Sequence, residues 1–225
     1  MSILLLMIKC TSNNTDNNPR AKYRLNDLMT MVYTEREFYC KNNIQTNFKL
    51  DSVFKEQDLY RNAFMQKMKS EKISTDFNRG FLIEDFMLRK NEIGETNAEY
   101  NYGALAYFED SINRSFVYLE ISQDKGKTKF LKIELDSTKC KLINAWINSK
   151  TTFDRINSIN SYNKTREQYL FINKLSSKES FCRLVINPLW FTLLYPANKG
   201  KSEDLFRALS EISKLYDITG EGSPF

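Results

Sequence analysis

The clearest order in this chain is an alternation of side-chain character between residues 102 and 136. Within 115–122, Val117, Leu119 and Ile121 fall on one side and Phe116, Tyr118 and Glu120 on the other. Residues 127–136 alternate Leu131, Ile133 and Leu135 against Phe130, Lys132 and Glu134. Successive side chains of a strand point to opposite faces, so a period of two predicts strands. A further run at 102–109, with connections at 110–114 and 123–126 that carry Asp, Asn or Gly, completes a three-stranded antiparallel meander.

On either side of the meander the period becomes helical. Leu25, Leu28, Met29, Val32 and Tyr33, continued by Phe38 and Tyr39, predict an amphipathic helix over 21–42. Val53, Phe54, Leu59, Tyr60, Phe64, Met65 and Met68 predict a second over 52–72, capped by Asp51 or Ser52. Cys140, Ile143, Trp146 and Ile147 predict a third over 139–150. A last helix runs from Ser202, its cap, to Tyr216 on the stripe Leu205, Leu209 and Ile212.

Residues 80–93 fit a strand or a helix, 94–101 read as a polar loop, and 169–172 and 181–186 read as strands. Asn187-Pro188 fits a turn or a helix start with Pro at its first position, and 189–195 is expected to be buried. Helices, a meander, then mixed elements predict an α+β fold. An antiparallel sheet packs with amphipathic helices in a single domain at 21–225, and spacing for a doubly wound parallel sheet is absent.

Composition sharpens this by exclusion. The 225 residues contain no histidine, which removes Ser-His-Asp and Cys-His nucleophile systems and every histidine-containing metal site. The four cysteines Cys10, Cys40, Cys140 and Cys182 are widely spaced with no metal-ligand pattern, so no metal or cofactor is expected. Phosphate-binding glycine loops, a nucleophile elbow and the acid-x-Lys signature of metal-dependent nucleases are also missing. The net charge of +5 is a weak pointer to nucleic acid, because Asn, Lys and Ile make up 61 residues and share AT-rich codons.

The N-terminus is the most informative segment. Residues 3–8 are apolar, Cys10 follows, and 11–19 are a run of Thr, Ser, Asn and Asp ending at Pro19. Six apolar residues cannot span a bilayer, which takes about 20. The pattern resembles the N-terminus of a bacterial lipoprotein, with an acylated cysteine and a polar tether over 1–20. Lys9 stands where lipoproteins usually place Gly, Ala or Ser, and no Lys or Arg precedes the apolar run. The resemblance implies lipidation at Cys10, a membrane-anchored place in the cell envelope and a binding or structural role. It says nothing of the fold.

Two other chemistries compete. Lys125, Lys127, Lys129 and Lys132 form a basic hairpin tip around Phe130, which a cytosolic phage- or mobile-element-type accessory protein could use on nucleic acid. Against this, residues 121–150 contain no Arg, the side chain best shaped for phosphate. Carboxylates can also work without histidine. Glu84-Asp85, Glu109-Asp110, Glu120 and Glu134 are the candidates, with Phe116, Tyr118, Glu120, Phe130 and Glu134 expected together on one ligand-facing side of the meander. Trp146, Trp190, Phe191 and Tyr195 read as core.

Overall fold

The computed structural model describes residues 22–42, 44, 46–90, 98–122, 126–150, 153, 166–188 and 203–220. In chain order the elements are β1 (Tyr23–Arg24), α1 (Leu25–Lys41), α2 (Leu50–Ser70), β2 (Asp76–Phe77), β3 (Arg79–Lys90), β4 (Ala98–Glu109), β5 (Arg114–Ser122), β6 (Lys127–Ile133), α3 (Ser137–Asn148), β7 (Arg166–Leu175), β8 (Ser180–Ile186) and α4 (Glu203–Asp217). Strands β3 to β8 make one antiparallel sheet in the order β6-β5-β4-β3-β7-β8, and β1 pairs with β2. The chain is a single α+β domain. Its predicted meander is present, with β3 added as a fourth consecutive strand. Among the described residues no helix is long and apolar enough to cross a membrane.

Helices cover both faces of the sheet. Leu82, Phe86, Tyr102, Ala104, Val117 and Phe171 pack toward α1 and α2. Phe81, Ile83, Leu105, Phe116, Leu170 and Val185 pack on the opposite face with Trp146 of α3 and Ile212 of α4. A strand buried on both sides shows an unbroken apolar run instead of alternation. This is why residues 80–93 fitted either element, and the twelve residues of β3 are all strand.

Four boundaries move for local reasons. Residues 98–101, expected in a loop, extend β4 because they pair with 87–90 of β3. Helix α2 starts at Leu50, so neither Asp51 nor Ser52 is its cap; Lys49 holds that position in extended backbone without a side-chain bond. Helix α3 starts at Ser137 because Asp136 caps it, accepting from the backbone N–H of Thr138 and Lys139. Asn187 follows β8 at φ +54, its side-chain oxygen accepting from Gln168 N–H at 2.9 Å, and Pro188 after it is helical, which makes the Asn187-Pro188 step a helix start with Pro at its first position. The segment 189–195, with Trp190, Phe191 and Tyr195, lies outside the described residues, whereas Trp146 is core.

Gly80 is required where it stands. A Cβ there would come within 2.5 Å of the Tyr107 carbonyl oxygen and 3.1 Å of the Phe77 ring. The β1–β2 ribbon is thereby pressed against the start of β3, with the Phe77 ring tilted against Phe108 at a centroid distance of 5.4 Å.

Candidate functional site

The register of β5 and β6 decides what becomes of the predicted ligand face. Phe116 pairs with Ile133, Tyr118 with Leu131 and Glu120 with Lys129, so each even residue of β5 faces an odd residue of β6. The connection between Ser122 and Lys127 has four residues, an even number, and this fixes the parity. Phe116, Tyr118 and Glu120 therefore share the α3/α4 face with Lys129, Leu131 and Ile133. Phe130 lies on the α1/α2 face beside Leu119, with the Lys67 ammonium 5.4 Å from its ring centre. Glu134 lies past the end of β6, exposed, its carbonyl accepting from Lys139 Nζ at 2.9 Å. The five residues do not form one face.

The basic tip is parted by the same parity. Lys127 and Lys129 are exposed on the α3/α4 side of β6, and Lys132 is exposed on the other. Lys125 and Cys10 lie outside the described residues.

In place of the expected face, the structure assembles a row of paired residues across four strands. Asp85 of β3 is opposite Gly103 of β4, Gly103 is opposite Glu120 of β5, and Glu120 is opposite Lys129 of β6. Two strand spacings separate the Asp85 and Glu120 backbones, about 10 Å. Gly103 leaves the space between them clear of a side chain, and the Tyr216 hydroxyl of α4 lies 4.0 Å from where its Cβ would be. Tyr118 Oη donates to Glu120 Oε2 at 3.4 Å, and Gln168 Nε2 donates to Asp85 Oδ1 at 2.6 Å.

Asp85 is buried, and that burial pushes its carboxyl up to about 7 against the lowering effects of the Gln168 bond and the Arg166 charge. A carboxyl near 7 exchanges a proton at neutral pH, the property required of a general acid or base. Burial also raises the Tyr216 hydroxyl well above its ordinary range, so it remains a neutral donor.

Its neighbour along the strand has the opposite fate. Glu84 points to the α1/α2 face, where Arg61 Nε and Nη2 donate to its two oxygens, both at 2.7 Å. Tyr102 Oη adds a third bond at 2.8 Å, and Arg61 also reaches Asp58 at 2.6 Å, which Arg36 shares at 2.7 Å. Burial works against the Arg61 charge, but Glu84 more than compensates and holds the guanidinium above its ordinary value. Glu109 is likewise engaged: Arg79 forks onto it at 2.8 and 3.0 Å, and Tyr107 Oη donates at 2.5 Å. Glu84 and Glu109 hold elements together, whereas Asp85 is buried with the Gln168 amide as its hydrogen-bond donor.

Among the described residues, cavities also open away from this row. One of about 480 Å³ lies between the end of α1 and the start of α2, lined by Tyr39, Cys40, Thr46, Phe48, Lys49 and Asp51 among others. Glu167 of β7 holds the lining residue Asn47 from behind: Asn47 N–H donates to Glu167 Oε1 at 3.2 Å, and Tyr169 donates to the same carboxylate. Burial raises the Glu167 carboxyl pKa, against the hydrogen bonds it accepts. Cys40 Sγ donates to Asp51 Oδ1 at 3.3 Å, and burial followed by the Asp51 carboxylate lifts its thiol to about 11, well away from a reactive thiolate. A second cavity, about 330 Å³, is polar and has Arg79, Glu109, Asn148 and Ser176 on its walls. Sequence reasoning missed Gln168, Gly103 and Glu167, which owe their roles to partners far away in the sequence: Asp85 for Gln168 and Gly103, and Asn47 for Glu167. The visible signal was the pair of acids inside the apolar run of β3.

Cys40, Cys140 and Cys182 are free thiols, and among the described residues no three His, Cys, Asp or Glu side chains group in a way that could hold a metal ion. Comparison of the chain with protein-family models, with curated proteins and with solved structures gives no match.

Proposed function

We propose that this chain is a binding protein of the bacterial cell envelope, tethered to the membrane through a lipidated Cys10. The observation that carries the reading is the order of the first twenty residues: an apolar run over 3–8, Cys10, then a polar run to Pro19, ahead of a domain whose described part begins at Lys22. Stable anchoring takes two acyl signals, which a lipoprotein-type modified cysteine supplies at one residue. A tether of polar residues lets the domain stand clear of the headgroups. The domain supports a binding role by offering an open cavity of about 480 Å³ and a sheet edge, with both carboxylates Glu84 and Glu109 engaged in holding the fold.

The test is metabolic labelling of the full chain with an alkyne fatty acid, followed by membrane fractionation. The expected result is a label that disappears in Cys10→Ser, together with release of the protein into the soluble fraction. An unlabelled wild-type chain, or a label that persists in Cys10→Ser, overturns the anchor.

A further inference from the structure

The two edges of the main sheet are finished differently. On β8, Leu184 N–H donates to Glu35 Oε1 at 3.4 Å and Leu184 C=O accepts from Tyr39 Oη at 2.7 Å. Side chains of α1 thus occupy backbone groups that an incoming strand would need. On the far side β6 pairs with β5 and has no described strand beyond it. An edge of this kind is a template for another strand.

The side chains of β6 restrict what can use it. Its seven residues hold three lysines and no acid. Lys127, Lys129 and Lys132 are exposed, while Phe130, Leu131 and Ile133 are half-buried and offer apolar contact next to the charges. A second copy of β6 laid antiparallel alongside would gather six lysines and no acid into one two-stranded ribbon, a net repulsion with nothing to offset it. Nucleic acid fits poorly too, because the lysines project from both faces of the sheet and one phosphate backbone cannot meet them all. A strand does meet them. Its side chains alternate up and down with the same period, so acids on one face oppose Lys127 and Lys129 and an acid on the other opposes Lys132.

We propose that β6 is a docking edge for an extended acidic segment of a partner protein, which joins the sheet as a seventh strand. The inference rests on reading the domain as a binding protein and is independent of the Cys10 anchor, whose labelling test has a separate readout.

The experiment uses the full chain and a fluorescein-labelled peptide that alternates Glu and Val, followed by anisotropy and by amide hydrogen exchange. Three comparisons accompany it: the same peptide N-methylated at every backbone amide, a peptide alternating Lys and Val, and a single-stranded DNA oligonucleotide. The acidic peptide should bind and slow exchange in β6, while the Lys peptide and the DNA should not. N-methylation, which preserves charge but blocks the ladder, should abolish binding. Replacing the three lysines together, K127E/K129E/K132E, should weaken the acidic peptide by about tenfold or more, since its Glu face loses the charge pairs to Lys127 and Lys129 and meets like charges in their place. If that variant misfolds by circular dichroism, the two peptide controls still decide. Equal binding of the N-methylated peptide, stronger binding of DNA, protection confined to elements other than β6, or no binding at low salt overturns the proposal.

Discussion

Removing the charge from Glu84 tests whether the Arg61–Glu84–Tyr102 cluster holds the helical layer on the sheet. Arg61 and Glu84 are 1% and 0% exposed, and both guanidinium bonds are 2.7 Å long. Glu84→Gln keeps the shape and one acceptor but leaves a buried guanidinium with only the partly exposed Asp58 as counter-charge. Removing one partner of such a pair costs about 3–5 kcal/mol. For a domain of this size that lowers Tm by roughly 6–20 °C. Urea unfolding followed by circular dichroism gives the difference directly as a shift in midpoint at constant slope.

The stronger test replaces the whole cluster. Arg61→Met with Glu84→Leu and Tyr102→Phe leaves no stranded charge and no stranded hydroxyl, and Asp58 keeps Arg36 at 2.7 Å. Swapping a buried pair for well-packed apolar residues is often neutral, so the triple variant should be more stable than Glu84→Gln. A loss below about 1 kcal/mol in Glu84→Gln, within the range of an exposed pair, would refute the reasoning. So would a triple variant as unstable as the single one.

Further expectations come from other buried groups. Because Asp85 is raised from 3.8 to about 7 by burial, the folded state holds its proton more tightly than the unfolded chain. Its contribution is complete below the unfolded value and is lost as pH rises toward about 7. Asp85→Asn should match wild type in thermal stability near pH 4 and exceed it by a few kcal/mol near pH 8; the same offset at both pH values would refute the shift. Gly80→Ala forces a Cβ to 2.5 Å from the Tyr107 carbonyl and should cost roughly 1–3 kcal/mol in urea unfolding, with near-wild-type stability as the contrary result. Lys174, fully buried, donates to the Ser149 and Trp146 carbonyls at the end of α3 and pairs with Glu179 at 2.6 Å. Lys174→Met should therefore speed hydrogen exchange at the C-terminal turn of α3 before it affects the sheet, and uniform acceleration would count against a local cap.

Much of the fold was legible because its elements announce themselves locally. The helical stripes of α1, α2, α3 and α4 and the alternation of β5 and β6 are properties of neighbouring residues, and each fell close to where the spacing put it. Strand β3 was not legible as a strand, because covering a sheet on both faces removes the alternation that identifies one. Residues 98–101 were missed because polar residues take strand geometry when a neighbour supplies the ladder; opposite 87–90 they have one.

The candidate site depended on information of a different kind. Alternation along β5 and β6 was read correctly within each strand, yet whether Glu120 shares a face with Phe130 or with Leu131 turns on the parity of one connection. Register is a relation between strands, and a shift of one residue exchanges the faces. The fates of Glu84 and Asp85 were equally invisible: adjacent in sequence, they point to opposite layers, one meeting Arg61 and the other Gln168. The sequence by itself determined the helices and the alternating strands, the exclusion of histidine chemistry and the Cys10 pattern, because these depend on composition and near neighbours. Only tertiary structure decided which carboxylates are neutralised, which edge is closed and which side chains meet, because those depend on residues as far apart as 23 positions for Arg61 and Glu84 and 149 for Glu35 and Leu184.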